Sequence, residues 1–536
     1  MMQIFSTPLV FLALCMLIFV PVASFAQEAG QGPVTDSGRL SDNLSSYYES
    51  GSYSTDQVDA NSDEISFSAA IRLALEQNLN LQAATFDARA KELIYQGAFG
   101  LYDPLVTMLY REGERRDLLN IAAPNDFDLD YQETTIALSQ KLPLGTELTL
   151  SGQLFEQEET PPQALNPVYD SYARLSLVQP LLRGFGLTAT EKGIIFSAKD
   201  RQIARQDLRT MAFQVVADVR NAYYDALQAQ YALSYRESSA ALARRIVQEN
   251  TARVDAGILA PVEKLEAEVG LQSRERLLLD AQRAFADSLD RLNLLLNARD
   301  KYYHPVIQPF TMDFEVDEDD GVSSGILKRP DVIRRTRQIE KNRAEQSLAR
   351  NSLLPELNVV AAYSQNGLSD NKSNSIDMVK EGDYDSWEVG VEFSYPLFNI
   401  ESRNELKRAD VELKQQRALL AQLHNEVRNE VRAAIRRIDV NRKKTEVAKK
   451  GHDLATEKLR ILLKSREVGL ATTRDVLDGG EDLASARNDQ ITSVSDFFKS
   501  ITEYLRATGT LLESENIVFS GDEYSSDNQS LFHVVP

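Results

Sequence analysis

"REVGLATTRDVLDGGE", residues 466–481, breaks a proline-free run from Leu397 to Val535 with a glycine, two threonines and two aspartates set three apart. "RVDAGILAPVEKLEAE", residues 253–268, has the same parts: a charged helical end, a glycine among small and apolar residues, and a new helical start. A long helical pattern precedes each stretch, and each pattern follows a proline at the end of an alternating segment, "LVQPLLRGFG" in one case and "FSYPLFNIES" in the other. Pro180 thus pairs with Pro396 and Gly257 with Gly469, at offsets that differ by only four residues. The chain states one plan twice: strands, long helix, glycine turn, long helix.

The helices are too long for one globular core. Residues 187–255 contain no proline and one glycine, Gly193, so a continuous helix there would run ~100 Å at 1.5 Å per residue. It must pack lengthwise on others, as in a coiled coil or a helical barrel. Residues 401–466 repeat the design, with Gly451 as the only glycine. The strands show best in "DSWEVGVEFSYPLF" (385–398): Trp387, Val389, Val391, Phe393 and Tyr395 share one face, and Glu388, Gly390, Glu392 and Ser394 the other. A soluble sandwich strand gives the same alternation and is the commoner source of any one such segment, while aromatics at the ends of the apolar band and a polar opposite face are what a membrane barrel strand adds. "TTIALSQKLPLGTELTLSGQLF" reads as a hairpin turning around Pro143 to Thr146.

Residues 1–26 carry no charged side chain and an apolar run that ends at Ser24-Phe25-Ala26, a small-x-small pattern, so they read as a signal peptide. The single cysteine, Cys15, lies within it, which leaves no disulfide or thiol chemistry to the mature chain. Residues 27–63 read as a flexible arm, 64–298 as the first repeat, 299–330 as an irregular acidic connector, 331–513 as the second repeat and 514–536 as a tail. Within the repeats, strands are expected at about 104–180 and 356–397, and helical hairpins at 187–298 and 401–513. Beyond residue 26 no apolar run approaches the ~20 residues of a spanning helix, so any crossing of a membrane uses strands. The net charge of -21 argues against nucleic acid as a partner.

Catalytic and cofactor signals are weak. "GFGLTA" (184–189) fits G-x-G-x-x-A, but the helix after it far outruns a βαβ crossover and no ribose-binding acid follows on a parallel strand. The histidines, His304, His424, His452 and His533, have no metal-ligand spacing, so no metal or cofactor and no enzymatic activity are expected.

From about residue 64 to 513 the chain resembles the TolC-type outer-membrane efflux proteins. The resemblance rests on the signal peptide, the duplicated plan, "QPLLRG" and "YPLF" at the strand-to-helix junctions, "KRPDV" opening the second half, "NSLLPEL" entering its strands, and the turns "AGIL" and "VGLAT". It implies an α+β membrane protein in which an outer-membrane β-barrel is continuous with a long periplasmic α-helical barrel, trimeric, with four strands per subunit closing twelve.

The implied partners are two further copies, a periplasmic adaptor, an inner-membrane pump or ABC exporter, and outer-membrane lipid. The implied function is passive export in tripartite efflux or type I secretion. A secreted trimeric coiled-coil stalk or adhesin is the alternative, but it has no use for strands before each helical hairpin.

By the same resemblance, Asp475 and Asp478 in "DVLD" form a periplasmic gate and the tips Ala256-Gly257-Ile258 and Val468-Gly469-Leu470 receive the adaptor. Ala471 stands where the family has a basic latch residue, which leaves Arg466, Arg474 and Glu263 as candidates for that part. Trp387 and Tyr395 are expected at opposite membrane interfaces. The chain departs from the family in two places. Asn78-Leu79 replaces an Asn-Pro pair, and the long segment from Pro104 to Pro180 holds an extra hairpin near 133–157 that lies in the barrel wall, outside it, or over its mouth.

Overall fold

The structure, a computed structural model, describes residues 64–118, 126–160, 165–298, 301–306, 314–519 and 532–534. The expected signal peptide and flexible arm lie outside these residues. β1 (Glu64–Ile65) leads into α1 (Phe67–Gln77), whose first turn is capped by the Ser66 hydroxyl accepting from the Ala69 amide. α2 (Leu79–Gly97) restarts at once because the Asn78 side chain accepts from the amides of Asn80 and Leu81 at 3.0 and 3.2 Å. Asparagine capping thus supplies the break that the family's Asn-Pro pair implies.

Four strands follow: β2 (Leu105–Leu118), β3 (Asp126–Lys141), β4 (Glu147–Thr160) and β5 (Val168–Pro180). Gly184 and Gly186, both at positive φ, turn the chain into α3 (Lys192–Asp255), so "GFGLTA" is a strand-to-helix transition. α4 (Pro261–Leu296) and the two-residue β6 (His304–Pro305), which pairs parallel with β1, close the first half. The second half holds α5 (Glu318–Lys328), α6 (Pro330–Asn351), β7 (Glu356–Ser369), α7 (Lys372–Glu381), β8 (Asp385–Ser394), α8 (Ile400–Glu467) and α9 (Thr473–Ala507). β9 (Ile517–Phe519) then pairs antiparallel with β10 (Phe532–Val534). The two hairpins match in length, with helices of 64 and 36 residues in the first and 68 and 35 in the second.

One expectation is corrected in the connector. Residues 318–328 are helical, because Asp317 caps the Asp320 amide at 2.9 Å and Glu318, Asp319 and Asp320 lie in the first turn, where acids complement the helix dipole.

The chain divides into two compact units, each drawing segments from both repeats. Among described residues, the first comprises Ala90–Arg201 and Arg337–Arg417 and contains one antiparallel sheet in the order β2-β3-β4-β5-β7-β8. This corrects the expected four strands to six: the extra hairpin, β3–β4, stands inside the sheet between β2 and β5. The pairing aligns Val106, Leu138, Leu150, Leu175, Tyr363 and Trp387 in a single row across all six strands. Side chains directly opposite in an antiparallel pair share a face. That face also carries Met108, Ile136, Leu148, Leu177, Ala361, Val389 and Val391, while the other carries Thr149, Ser151, Arg174, Ser176, Glu388 and Glu392. On the polar face Arg174 reaches Glu388 across the small Ala362 of β7. α7 packs where Gly367 leaves no room for a side chain, since a Cβ there would collide with the Ser375 carbonyl oxygen.

Among described residues, the second unit draws on 64–89, 202–336 and 418–534 and has a core of Leu208, Val216, Leu227, Leu292, Ile438, Phe497 and Leu511. Arg220 is buried beside it. Its Nε donates to Thr502 Oγ1 at 3.0 Å, its Nη1 pairs with Glu515, and its guanidinium lies 5.0 Å over the Phe67 ring. Burial lowers its pKa from the usual arginine value. No helix among the described residues is long and apolar enough to cross a membrane.

The two faces give opposite chemical expectations. Cysteines replacing Val389 and Val391 are expected to react only with lipid-soluble reagents in outer-membrane vesicles, and cysteines replacing Glu388 and Glu392 with water-soluble maleimide. Equal aqueous labelling at all four sites would reject a membrane wall.

Candidate functional site: the helix tips and the DVLD segment

Both long hairpins turn by the same backbone device. At the first tip the amide of Gly257 donates to the Val254 carbonyl and that of Ile258 to Arg253, each at 2.9 Å. At the second, Gly469 donates to Arg466 at 3.1 Å and Leu470 to Ser465 at 2.8 Å. This is the Schellman pattern, and Gly257 and Gly469 occupy its left-handed position at φ +71° and +79°, where a Cβ is penalised. Such a turn often seats the apolar residue after the glycine against a partner one turn earlier. Here those earlier residues are Arg253 and Ser465, and Ile258 and Leu470 are left 76% and 83% exposed. Val468 is also exposed at 71%.

The returning helices start differently. α4 begins with Pro261, which needs no partner for a missing N–H. α9 begins with a capping box: the Asp475 amide donates to Thr472 Oγ1 at 3.1 Å, and Asp475 Oδ2 accepts from the Thr472 amide and hydroxyl, both at 2.8 Å. Thr472 is thus the cap, and its neighbour Thr473 is buried. The hydrogen bonds from the Thr472 backbone and hydroxyl lower the Asp475 pKa below the usual carboxylate value. Asp478 lies on the same exposed face, with Arg474 Nε 3.8 Å from its Oδ2. Both side chains of that pair are largely in water, so it contributes little to stability.

Between the aspartates, Val476 and Leu477 point the opposite way into a cluster with Ala243, Ile246 and Ala267. The Gly479-Gly480 pair keeps α9 close to its neighbours: a Cβ at 479 would lie 2.6 Å from Leu462 Cδ1, and one at 480 would lie 3.1 Å from Leu242 Cδ2. Arg274, buried in α4, donates to the Leu477 carbonyl and at 2.9 Å to that of Gly270.

The residue that sequence reasoning missed is Asn250. Fully buried near the end of α3, it donates through Nδ2 to the Glu263 carbonyl at 3.0 Å and to Thr473 Oγ1 at 2.9 Å, and accepts at Oδ1 from Arg466 Nη2 at 2.7 Å. One amide therefore ties α3, α4, α8 and α9 together. Arg466 adds an ion pair to Glu249 at 3.1 Å and is itself mostly buried. Of the candidate latch residues, Arg466 and the Glu263 backbone meet at Asn250, whereas Arg474 stands outside beside Asp478. The available signal was a polar residue on the stripe of Ala243 and Ile246, one turn beyond the latter. In the sheet, Trp387 belongs to the apolar row and is 74% exposed, and Tyr395 follows the end of β8.

Comparison with known proteins places this geometry. The sequence model of the family described as "Outer membrane efflux protein" matches residues 139–298 and 322–496. Nodulation protein T of Rhizobium leguminosarum bv. trifolii is 21% identical over 408 residues, covering 74% of this chain and 84% of that protein. Among solved structures, the CmeC outer membrane channel of Campylobacter jejuni superposes with a TM-score of 0.63 at 14% identity, covering 90% of this chain and 95% of that one. The outer-membrane channel OprN gives 0.62 at 15% identity, with 83% and 90% covered. VceC of Vibrio cholerae gives 0.60 at 14% identity, with 83% and 96% covered.

Asn250→Ala removes an acceptor from Arg466 and a donor from Thr473, so it should destabilise the tips by about 1–3 kcal/mol. Thr472→Ala, which removes only the cap, should cost about 1 kcal/mol. Hydrogen exchange resolved to 253–263 and 466–475 checks both, with the sheet expected to keep its protection.

Proposed function

This chain belongs to the outer membrane efflux protein family, and we propose that it works as a homotrimeric duct for passive export across the periplasm and outer membrane. It is an outer-membrane channel protein and not an enzyme. The observation that carries the proposal is the sheet with one apolar and one polar face, combined with two matched helical hairpins that turn at left-handed glycines. The apolar face meets lipid, with Trp387 and Tyr395 near opposite interfaces, and the polar face lines water. The halves 64–298 and 331–513 act as two versions of one unit around the 299–330 connector, and residues 1–26 direct secretion.

Cargo selection lies with an inner-membrane pump or ABC exporter, joined through a periplasmic adaptor in tripartite efflux or type I secretion. The adaptor docks at Ala256-Gly257-Ile258 and Val468-Gly469-Leu470. The exposure of Ile258 and Leu470 supports this, because the turns they sit on give them no partner of their own.

Asp475 and Asp478 from three copies surround a narrow constriction that repels anions and attracts cations. Asp475 has two tasks in this reading, cap and charge, and the Thr472 hydrogen bonds that lower its pKa favour the charged form. The sign follows from linkage: a carboxylate with a depressed folded pKa contributes stability above its unfolded pKa, and that contribution is lost as pH falls through the folded value. Arg466 braces the closed tip through Asn250 and Glu249 in place of a basic residue at Ala471.

In planar bilayers, Asp475→Asn with Asp478→Asn should weaken both cation preference and block by multivalent cations from the periplasmic side. The side-chain amide oxygen that Asp475→Asn leaves in place can still accept from the Thr472 amide, so the shape is retained. Unchanged selectivity would make these acids a solvated helix face. Ile258→Glu with Leu470→Glu should abolish export while trimers still form, and undiminished export would remove the tips as the docking site.

A further inference from the structure

Among the described residues, the six-stranded sheet is open. β2 and β8 each have one neighbour, every residue of β8 from Asp385 to Ser394 is exposed, and the apolar face runs out to both edges at Val106 and Met108 on one side and Val389 and Val391 on the other. Backbone groups on an edge facing lipid have no water to pair with, so a sheet in a bilayer must close. Neighbours alternate in direction across an even number of strands, so β2 and β8 run oppositely, and β8 of one copy meets β2 of the next as an antiparallel pair.

The inserted hairpin belongs to this wall. β3 is paired with β2 from Leu105↔Ser139 to Leu118↔Asp126, and β4 with β5 from Glu147↔Val178 to Gln157↔Val168. Its turn is held at the end where the helices leave the sheet. The Leu142 amide donates to the Thr146 carbonyl, Thr146 Oγ1 donates to Gln179, and a Cβ on Gly145, at φ +90°, would lie 2.8 Å from the Gly184 carbonyl oxygen. Leu138 and Leu150 also carry the apolar row through the hairpin without a gap.

We propose that the edges of β2 and β8 are the joint between copies of this chain, and that three copies, each giving six strands, close a barrel of eighteen strands instead of the twelve that the family resemblance implies. The inference rests on the trimeric duct reading above. Strands spaced about 4.8 Å apart and tilted by about 40° give a backbone radius of about 12 Å for twelve strands and about 18 Å for eighteen. The bore is wider by half, which suits bulkier cargo.

The test uses the full chain with its single native cysteine replaced, Cys15→Ser, and one spin label at Ala361→Cys on the apolar face. Native mass spectrometry counts the copies, and pulsed electron spin resonance measures the distance between equivalent labels. For three copies the backbone separation is expected near about 31 Å in an eighteen-stranded wall, against about 21 Å in a twelve-stranded one. A trimer at the shorter distance overturns the inference and leaves the duct reading standing. Any other copy number overturns both. Excision of β3–β4 with β2 linked to β5 should keep the trimer and shorten the distance by about 10 Å. An excised trimer at the original distance would overturn the inference as well.

Discussion

The whole sheet depends on its register. Side chains on a strand alternate with a period of two, so a slip of one residue between any two neighbours would send the part of the apolar row beyond the slip to the polar side. Val106, Leu138, Leu150, Leu175, Tyr363 and Trp387 come from segments far apart in sequence, yet five consecutive pairings place them on one line. Local fits secure the alignment at both ends: the turn at Leu142 to Thr146 closes one, and α7 on Gly367 bears on the other. Lipid on one side and water on the other then reward only this alignment.

Much of the fold was legible in the sequence, and the reasons are local. Gly257 and Gly469 announce the tips because only glycine is at ease in their conformation, and Thr472 announces a helix start because its side chain serves its own turn. The strand count was not legible. In β2 the alternation holds near Val106 to Tyr110 and then dissolves into residues that are polar on both faces, Arg111 to Arg116, whereas in β3 it changes side, with Ile136 and Leu138 on one face and Leu129 and Tyr131 on the other. No single period runs the length of either strand. The connector misled for a related reason: a cluster of acids looks like solvated coil, but at a helix N-terminus it is favourable.

The site was half legible. Asp475 and Asp478 stand out by spacing, and their exposure on one face follows from the burial of Val476 and Leu477 between them. Asn250 could not be found the same way, because its importance arises from three partners on three other helices. A buried amide with every polar atom engaged specifies one arrangement of its neighbours and tolerates few others. The glycines at 479 and 480 act with it by letting α9 approach closely enough for those hydrogen bonds to form. The repeats are therefore alike in plan and unlike at the tips, where proline starts one returning helix and a capping box the other.

Arg220 adds a constraint on timing. Its charge is buried in the first long helix, but the carboxylate that balances it, Glu515, lies 295 positions later, beyond the last long helix. A chain emerging N-terminus first exposes the cation long before its counter-ion exists. Until Glu515 arrives, packing Phe67 and Thr502 around Arg220 would enclose an uncompensated charge, which is strongly unfavourable. The core of the second unit therefore closes with its buried charge balanced only once the segment that carries Glu515 is in place.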